Sequence, residues 1–231
     1  MRENMIENKA NQILDKTLER KNQKLLGEME KYSLETYLHS IATGQVCDKI
    51  AKEIEGLNER DRILLHYAGL LHDVGKMQIP LEILHNHGRL SEEDFNVIRT
   101  HPALSREILE KNGLPDTLID TVADHHEKLN GKGYPNQKKG DEISRLTRIL
   151  SVADIVSALS VKRSYREPMS QENIINILNT EVEVGDLDPT FTSTAIELLK
   201  RDELNFDQLT SNDFSYNEQL SPKESGESLI D

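Results

Sequence analysis

Residues 149–160, ILSVADIVSALS, constrain the fold of this chain more than any other stretch. Read as a helix, the segment is apolar around almost its whole circumference, and such a helix belongs inside a packed core. Asp154 sits in its middle. An ionised carboxylate there is costly unless a cation meets it, so Asp154 is either a buried ion-pair partner or a metal ligand. A core helix of this kind needs other helices to cover it.

The rest of the sequence supplies them. Ser33 can cap a helix running through ETYLHSIATGQVCDKIAKEI, Pro102 and Pro115 stand where first helical residues belong, Gly113 closes the helix between them, and Asp188 with Pro189 opens another. Nothing alternates with period two for long enough to make a strand, and no internal repeat is present. Leu, Ile, Ala, Glu and Lys dominate while Trp is absent. The expectation is an all-α bundle, with one domain over residues 33–200.

Two flanking segments differ from this domain. Residues 1–32 are polar and helix-forming, with a one-sided stripe of Ile6, Ile13, Leu14, Leu18, Leu25, Leu26 and Met29. That stripe either packs on the domain or forms a dimerising or signal-carrying helix. Residues 201–231 hold eight acids against Arg201 and Lys223, and are expected to be a disordered acidic tail.

A net charge of -13 argues against a nucleic-acid groove. A small anionic ligand would need its own local nest of positive charge. Cys47 is the single cysteine, so no disulfide forms within the chain. No apolar run approaches a membrane span and the first residues lack a signal core, so no membrane partner is expected and the location expected is cytoplasmic.

Several imidazoles and carboxylates stand where a metal site would need them. His72 and Asp73 end the apolar segment RILLHYAGLLHD, where burial obliges them to find partners. Glu35 and His39, spaced i and i+4, share one face of a helix. His101, before Pro102, is expected on the cap of the next helix, reaching outward into a cleft. His125 and His126 are expected to leave a helix end about 100° apart. Such neighbours suit a cluster of adjacent ions, and imidazole with carboxylate and no thiolate suits Fe, Mn or Zn. Behind them, LNGKGYP should make a tight turn at Asn130-Gly131, let backbone approach a ligand at Gly133, and hold Lys132 and Tyr134 at the mouth of the site. Lys76, Arg163 and Arg166 gather positive charge nearby. His66, His85 and His87 read as ordinary polar residues.

Together HDVGK, HPALS, HHEKLNGKGYP and ADIVSALSVKRSYREP, in that order, resemble the HD-GYP domains of bacterial cyclic di-GMP phosphodiesterases, over roughly residues 33–185. The resemblance implies a helical HD-domain bundle holding two or three divalent ions, Fe or Mn. It implies His72, Asp73, His101, His125, His126 and Asp154 as metal ligands, with Glu35 and His39 as the extra pair of three-ion members. It gives Asp73 and Lys76 catalytic roles, and Lys76, Arg163, Arg166, Gly133 and Tyr134 roles at the substrate. The implied reaction is hydrolysis of cyclic di-GMP to pGpG, and on to GMP in some members, by a hydroxide bridging two metal ions. The alternatives are a related substrate such as cyclic GMP-AMP, or a sensor with little turnover. Diguanylate cyclases are implied as partners of the GYP loop, and a homodimer is compatible. The family usually has Gly at Ser105, Asp at Asn130 and Asp at Ser157.

Overall fold

The computed structural model describes residues 2–86, 88, 90–161 and 167–204. Arg163, Arg166, His87 and residues 205–231 of the expected tail lie outside the described residues. Among the described residues there is no strand, and the chain folds as α1 (Arg2–Tyr32), α2 (Leu34–Glu53), α3 (Glu59–Leu71), a 3-10 turn (Val74–Gln78), α4 (Leu81–Leu84), α5 (Glu92–Ile98), α6 (His101–Lys111), α7 (Asp116–Ala123), a 3-10 turn (Gly140–Glu142), α8 (Arg145–Ser160), α9 (Gln171–Glu183) and α10 (Pro189–Lys200).

Side-chain caps set the helix starts. Ser33 accepts from the Thr36 N–H, Asn58 from Asp61, Ser144 from Thr147 and Asp188 from Thr190, so each of these entries satisfies a donor that the helix cannot. Two proline expectations shift by one residue. Pro115 is itself the cap of α7, in extended backbone, rather than its first residue. His101 is the first residue of α6 rather than its cap, because Arg99 and Thr100 stay in helical backbone and carry α5 almost directly into α6.

The ILSVADIVSALS segment becomes α8 and occupies the centre as expected: Ile149, Leu150, Val152, Ala153 and Val156 are fully buried. It packs on α2, α3 and α10, with α7 and α9 at its flanks. Across it, α2 and α3 cross closely. A Cβ on Gly69 would stand 2.7 Å from Gly44 Cα, so only glycine lets the two backbones meet there. That approach brings His39 of α2 beside His72 at the end of α3. The stripe of α1 divides: Leu18, Leu25, Leu26 and Met29 are buried on α2 and α3, while Ile6 and Ile13 are exposed.

Candidate metal centre

Five segments end at or cross one buried region. His72 caps the end of α3 and Asp73 opens the first 3-10 turn. His39 comes from α2, Asp154 from the middle of α8, His101 from the first turn of α6, and His125 with His126 from the turn after α7. Their donor atoms fall into three groups: His39, His72 and Asp154; His72, Asp73 and His125; His101, His125 and His126, each with all donors within 4.8 Å of one another. Neighbouring groups share His72 or His125, so the three form one continuous row. A row of overlapping donor sets suits adjacent cations better than a single ion.

Hydrogen bonds decide which nitrogens are available. Nδ1 of His72 lies 2.8 Å from the Gly69 carbonyl, Nδ1 of His101 2.8 Å from Ile98, and Nδ1 of His125 2.6 Å from Val122. A carbonyl only accepts, so each Nδ1 carries a proton and each ring turns Nε2 inward, with a free lone pair on the neutral rings of His101 and His125. Nε2 of His101 then faces Nε2 of His125 at 3.3 Å. Burial, the largest effect on each, pushes His101 down to about 3 and His125 down to about 4, so no proton sits between them near neutrality. Asp73 Oδ1, 3.3 Å from His101 Nε2, is buried and accepts no hydrogen bond. Lone pairs and an orphaned carboxylate oxygen pointing at each other are stable only around a cation, so this donor set fits divalent metal.

At the other end of the row protons partly take that role. His39 Nε2 lies 2.9 Å from Asp154 Oδ1 and 3.2 Å from His72 Nε2. Burial opposes charge on His72, but Asp73 and Asp154 outweigh it and raise His72 to about 10. Both carboxyls, in turn, are held well below their usual range against the cost of burial, through His72 with Lys76 for Asp73 and through His39 and His72 for Asp154. Two buried acids require positive charge, and His72 provides some of it.

The sequence expectations fare unevenly here. His39, His72, Asp73, His101, His125, His126 and Asp154 are brought together; Glu35, one turn before His39 and half-buried, belongs to none of the three groups. His125 and His126 do not diverge by a helical angle. The helix ends at Ala123, so both rings lie in a turn with centroids 4.0 Å apart and join the same donor group. His101 is 1 % exposed and points inward, because Ile98 and the row hold it. His66 pairs with Asp48 and His85 with Ser33, as ordinary polar residues do.

A family model described as HD domain matches residues 3–191. The chain belongs to the HD domain family. With its GYP block and its curated relatives, the branch is HD-GYP. The 3'3'-cGAMP-specific phosphodiesterase 1 of Vibrio cholerae is 35% identical over 175 residues, 76% of this chain and 39% of that protein. A cyclic di-GMP phosphodiesterase of Thermotoga maritima is 32% identical over 151 residues, 64% of this chain and 41% of that protein. The chain thus spans less than half of either relative. The HD domain of L. monocytogenes phosphodiesterase PgpH, solved with cyclic-di-AMP, shares the fold at TM-score 0.58 and 22% identity, covering 76% of this chain and 93% of that one.

The departures of this HD domain from the HD-GYP pattern are built into its packing. Ser105, fully buried, accepts from the Gly75 N–H at 2.8 Å and donates to the His72 carbonyl at 3.0 Å, tying the HD turn to α6. Asn130 accepts from the Lys132 N–H at 3.0 Å, closing the expected turn with Gly131 at φ 79°, and donates to the Val184 carbonyl at 3.0 Å and to Asp186. An aspartate could not donate, so the amide suits this chain. Ser157 stands 2.7 Å from Thr43 Oγ1 and 3.4 Å from His39 Nδ1.

The GYP loop of the HD domain sits on the centre, although Gly133 serves a purpose other than the expected one. A Cβ there would meet Lys128 N at 2.4 Å and His126 O at 2.6 Å, so the glycine admits the chain's own backbone rather than a ligand. Tyr134 stacks on His126 with centroids 4.7 Å apart, and the Arg99 guanidinium covers the outer face of Tyr134 at 4.7 Å. Lys132 is exposed. Lys76 pairs with Asp73 at 2.7 Å.

Sequence reasoning missed Glu127, the acid directly after the paired histidines. It is buried and accepts from the backbone N–H groups of Asn136 at 2.6 Å and Lys138 at 2.9 Å, which fastens the loop from beneath. Glu127→Ala should cost about 3 kcal/mol, or roughly 10 °C of melting temperature by calorimetry, because two amides lose a charged acceptor. An unchanged melting temperature would show that the loop is held by other contacts.

Proposed function

We propose that this HD domain is a metal-dependent phosphodiesterase that opens a cyclic dinucleotide, with cyclic di-GMP as substrate and linear pGpG as product. The observation that carries the reading is the row of inward Nε2 lone pairs and carboxylate oxygens from five segments. Two or three divalent ions, Fe or Mn by donor chemistry, would be held by His39, His72, Asp73, His101, His125, His126 and Asp154, with Glu35 within one helical turn of the row. Such ions supply Lewis acidity and a water acidic enough to act near neutral pH.

The protein's own groups do the rest. The Nδ1 contacts to main-chain carbonyls keep three imidazoles in one tautomer and one orientation. Lys76 keeps its ammonium at Asp73, and pairs with a substrate phosphate when one enters; Arg163 and Arg166 follow α8 in the sequence and are the further phosphate partners. Tyr134, held between His126 and Arg99, offers its ring edge and hydroxyl as a rim at the substrate. In the reaction water adds to phosphorus, the bond to the ribose 3'-oxygen breaks, and that oxygen leaves with a proton. The surface of the GYP loop around Lys132 and Pro135 is the part left free for a diguanylate cyclase.

A second substrate, 3'3'-cGAMP, is favoured by one observation: the Vibrio cholerae relative that matches 76% of this chain carries that specificity in its name. The test is a turnover panel with both dinucleotides on protein purified without oxygen. Turnover should vanish on chelation and return with Fe or Mn. Inertness toward both substrates with each metal bound would remove the proposal.

A further inference from the structure

A cavity lies between α1 and α2 with α3 as its floor. It encloses about 420 Å³, within the range of small-molecule sites. Its lining follows one face of α1 from Asp15 to Glu30, about 22 Å of helix. A site drawn out along this much of one helix favours an extended, linear ligand.

The charge of the lining narrows the ligand further. Asp15 and Glu19 stand at one end and Glu30 at the other, and no Lys or Arg lines the cavity. Anions, cyclic dinucleotides and the acidic residues 205–231 of this chain included, are repelled. The middle is apolar, with Leu26, Ile41 and Leu70 as walls. Polar side chains, Asn22, Tyr37 and Gln45, stand among these walls. Asn22 is 6% exposed, and its Oδ1 is buried with no hydrogen-bond partner. A buried acceptor of this kind wants a donor, and nothing in the described chain supplies one.

We propose that this groove binds a linear aliphatic polyamine. A tetramine of spermine's length matches the rise of about 16 Å from Glu19 to Glu30: its terminal ammonium groups lie at Glu19 and at Glu30, the methylene chain lies along Leu26, Ile41 and Leu70, and an internal ammonium donates to Asn22 Oδ1. The Tyr67 hydroxyl, which donates to Asp15 Oδ1 at 2.9 Å, fixes the carboxylate at one end. No residue that lines the groove belongs to the donor groups of the metal centre.

Isothermal titration of the full chain at low salt tests this, with spermidine, spermine and 1,8-diaminooctane as probes and 1,8-octanediol as the uncharged control. The amines should bind saturably at one site, with spermine, the one probe long enough to reach both acidic ends, tighter than spermidine and 1,8-diaminooctane, which are equal in length, and the diol should give no heat. Asn22→Leu removes the buried acceptor and should weaken spermine about tenfold or more. The double variant Glu19→Gln/Glu30→Gln changes only side chains at the cavity rim and should fold normally while weakening spermine comparably and flattening its salt dependence. No saturable heat from any amine, equal affinity in the double variant, or equal competition by Mg2+ would overturn the proposal.

Discussion

Asp73→Ala should strip the centre of its metal and lower cyclic-dinucleotide turnover on the order of 10³-fold or more. The size of the effect follows from where Asp73 stands. Its Oδ1 lies 3.3 Å from His101 Nε2, and its Oδ2 lies 3.3 Å from His72 Nε2 and 2.7 Å from Lys76 Nζ. It therefore reaches both ends of the donor row, whereas Asp154 contacts only the His39 and His72 end. Losing Asp73 leaves the His101, His125 and His126 group without a carboxylate, and an all-imidazole set holds a hard divalent ion poorly. Asp73→Asn separates charge from shape, since it keeps a carbonyl oxygen of similar reach. Metal analysis beside turnover should show both variants depleted, with Asp73→Ala the more so. Full metal content and full turnover in Asp73→Ala would sink the proposed centre, whatever its melting temperature. The melting temperature itself decides less: removing a buried carboxylate also removes its desolvation cost.

The centre was legible in the sequence to the extent that burial and charge conflict in short stretches. Asp154 inside an apolar run and His72-Asp73 at the end of another are visible conflicts, and all three residues lie at the centre. The all-helical class was legible for a similar reason, since the capping residues and the missing period-two pattern agree, and the caps at Ser33 and Asp188 form as expected. What the sequence could not show is angle. The divergence expected of His125 and His126 assumed that a helix continues through them, yet α7 stops at Ala123 and the turn sets the rings side by side. His101 was placed on a cap by the Pro102 rule, which knows nothing of the Ile98 carbonyl that turns the ring inward. Glu127 and Ser105 escaped because their partners are main-chain groups, and main-chain groups leave no residue-type signal. Glu127 did carry one hint: an acid in a segment whose neighbours are buried needs donors, and a loop of exposed amides follows it.

Gly133→Ala should be the most damaging single-methyl change in the GYP loop. The added Cβ would lie 2.4 Å from Lys128 N, 2.5 Å from Glu127 Cα and 2.6 Å from His126 O. All three are backbone atoms, so no side chain can rotate away, and the loop or the histidine turn has to move. Overpacking of this kind costs about 1–3 kcal/mol where neighbours can adjust, and here they are held by the two Glu127 hydrogen bonds. Any shift also carries His126 or Tyr134 with it, because the rings stack 4.7 Å apart and belong to the two colliding segments. A displacement near 1 Å at such a site is enough to lower turnover about 100-fold. Tyr134→Ala is the informative partner, since it deletes the ring while leaving the backbone fit intact. It should melt within about 1 kcal/mol of wild type and weaken substrate chiefly through KM. Gly133→Ala should instead lose melting temperature and kcat together. If the two variants behaved alike, the loop would be acting through the tyrosine ring alone, and the close backbone fit beneath Gly133 would have no part in aligning His126.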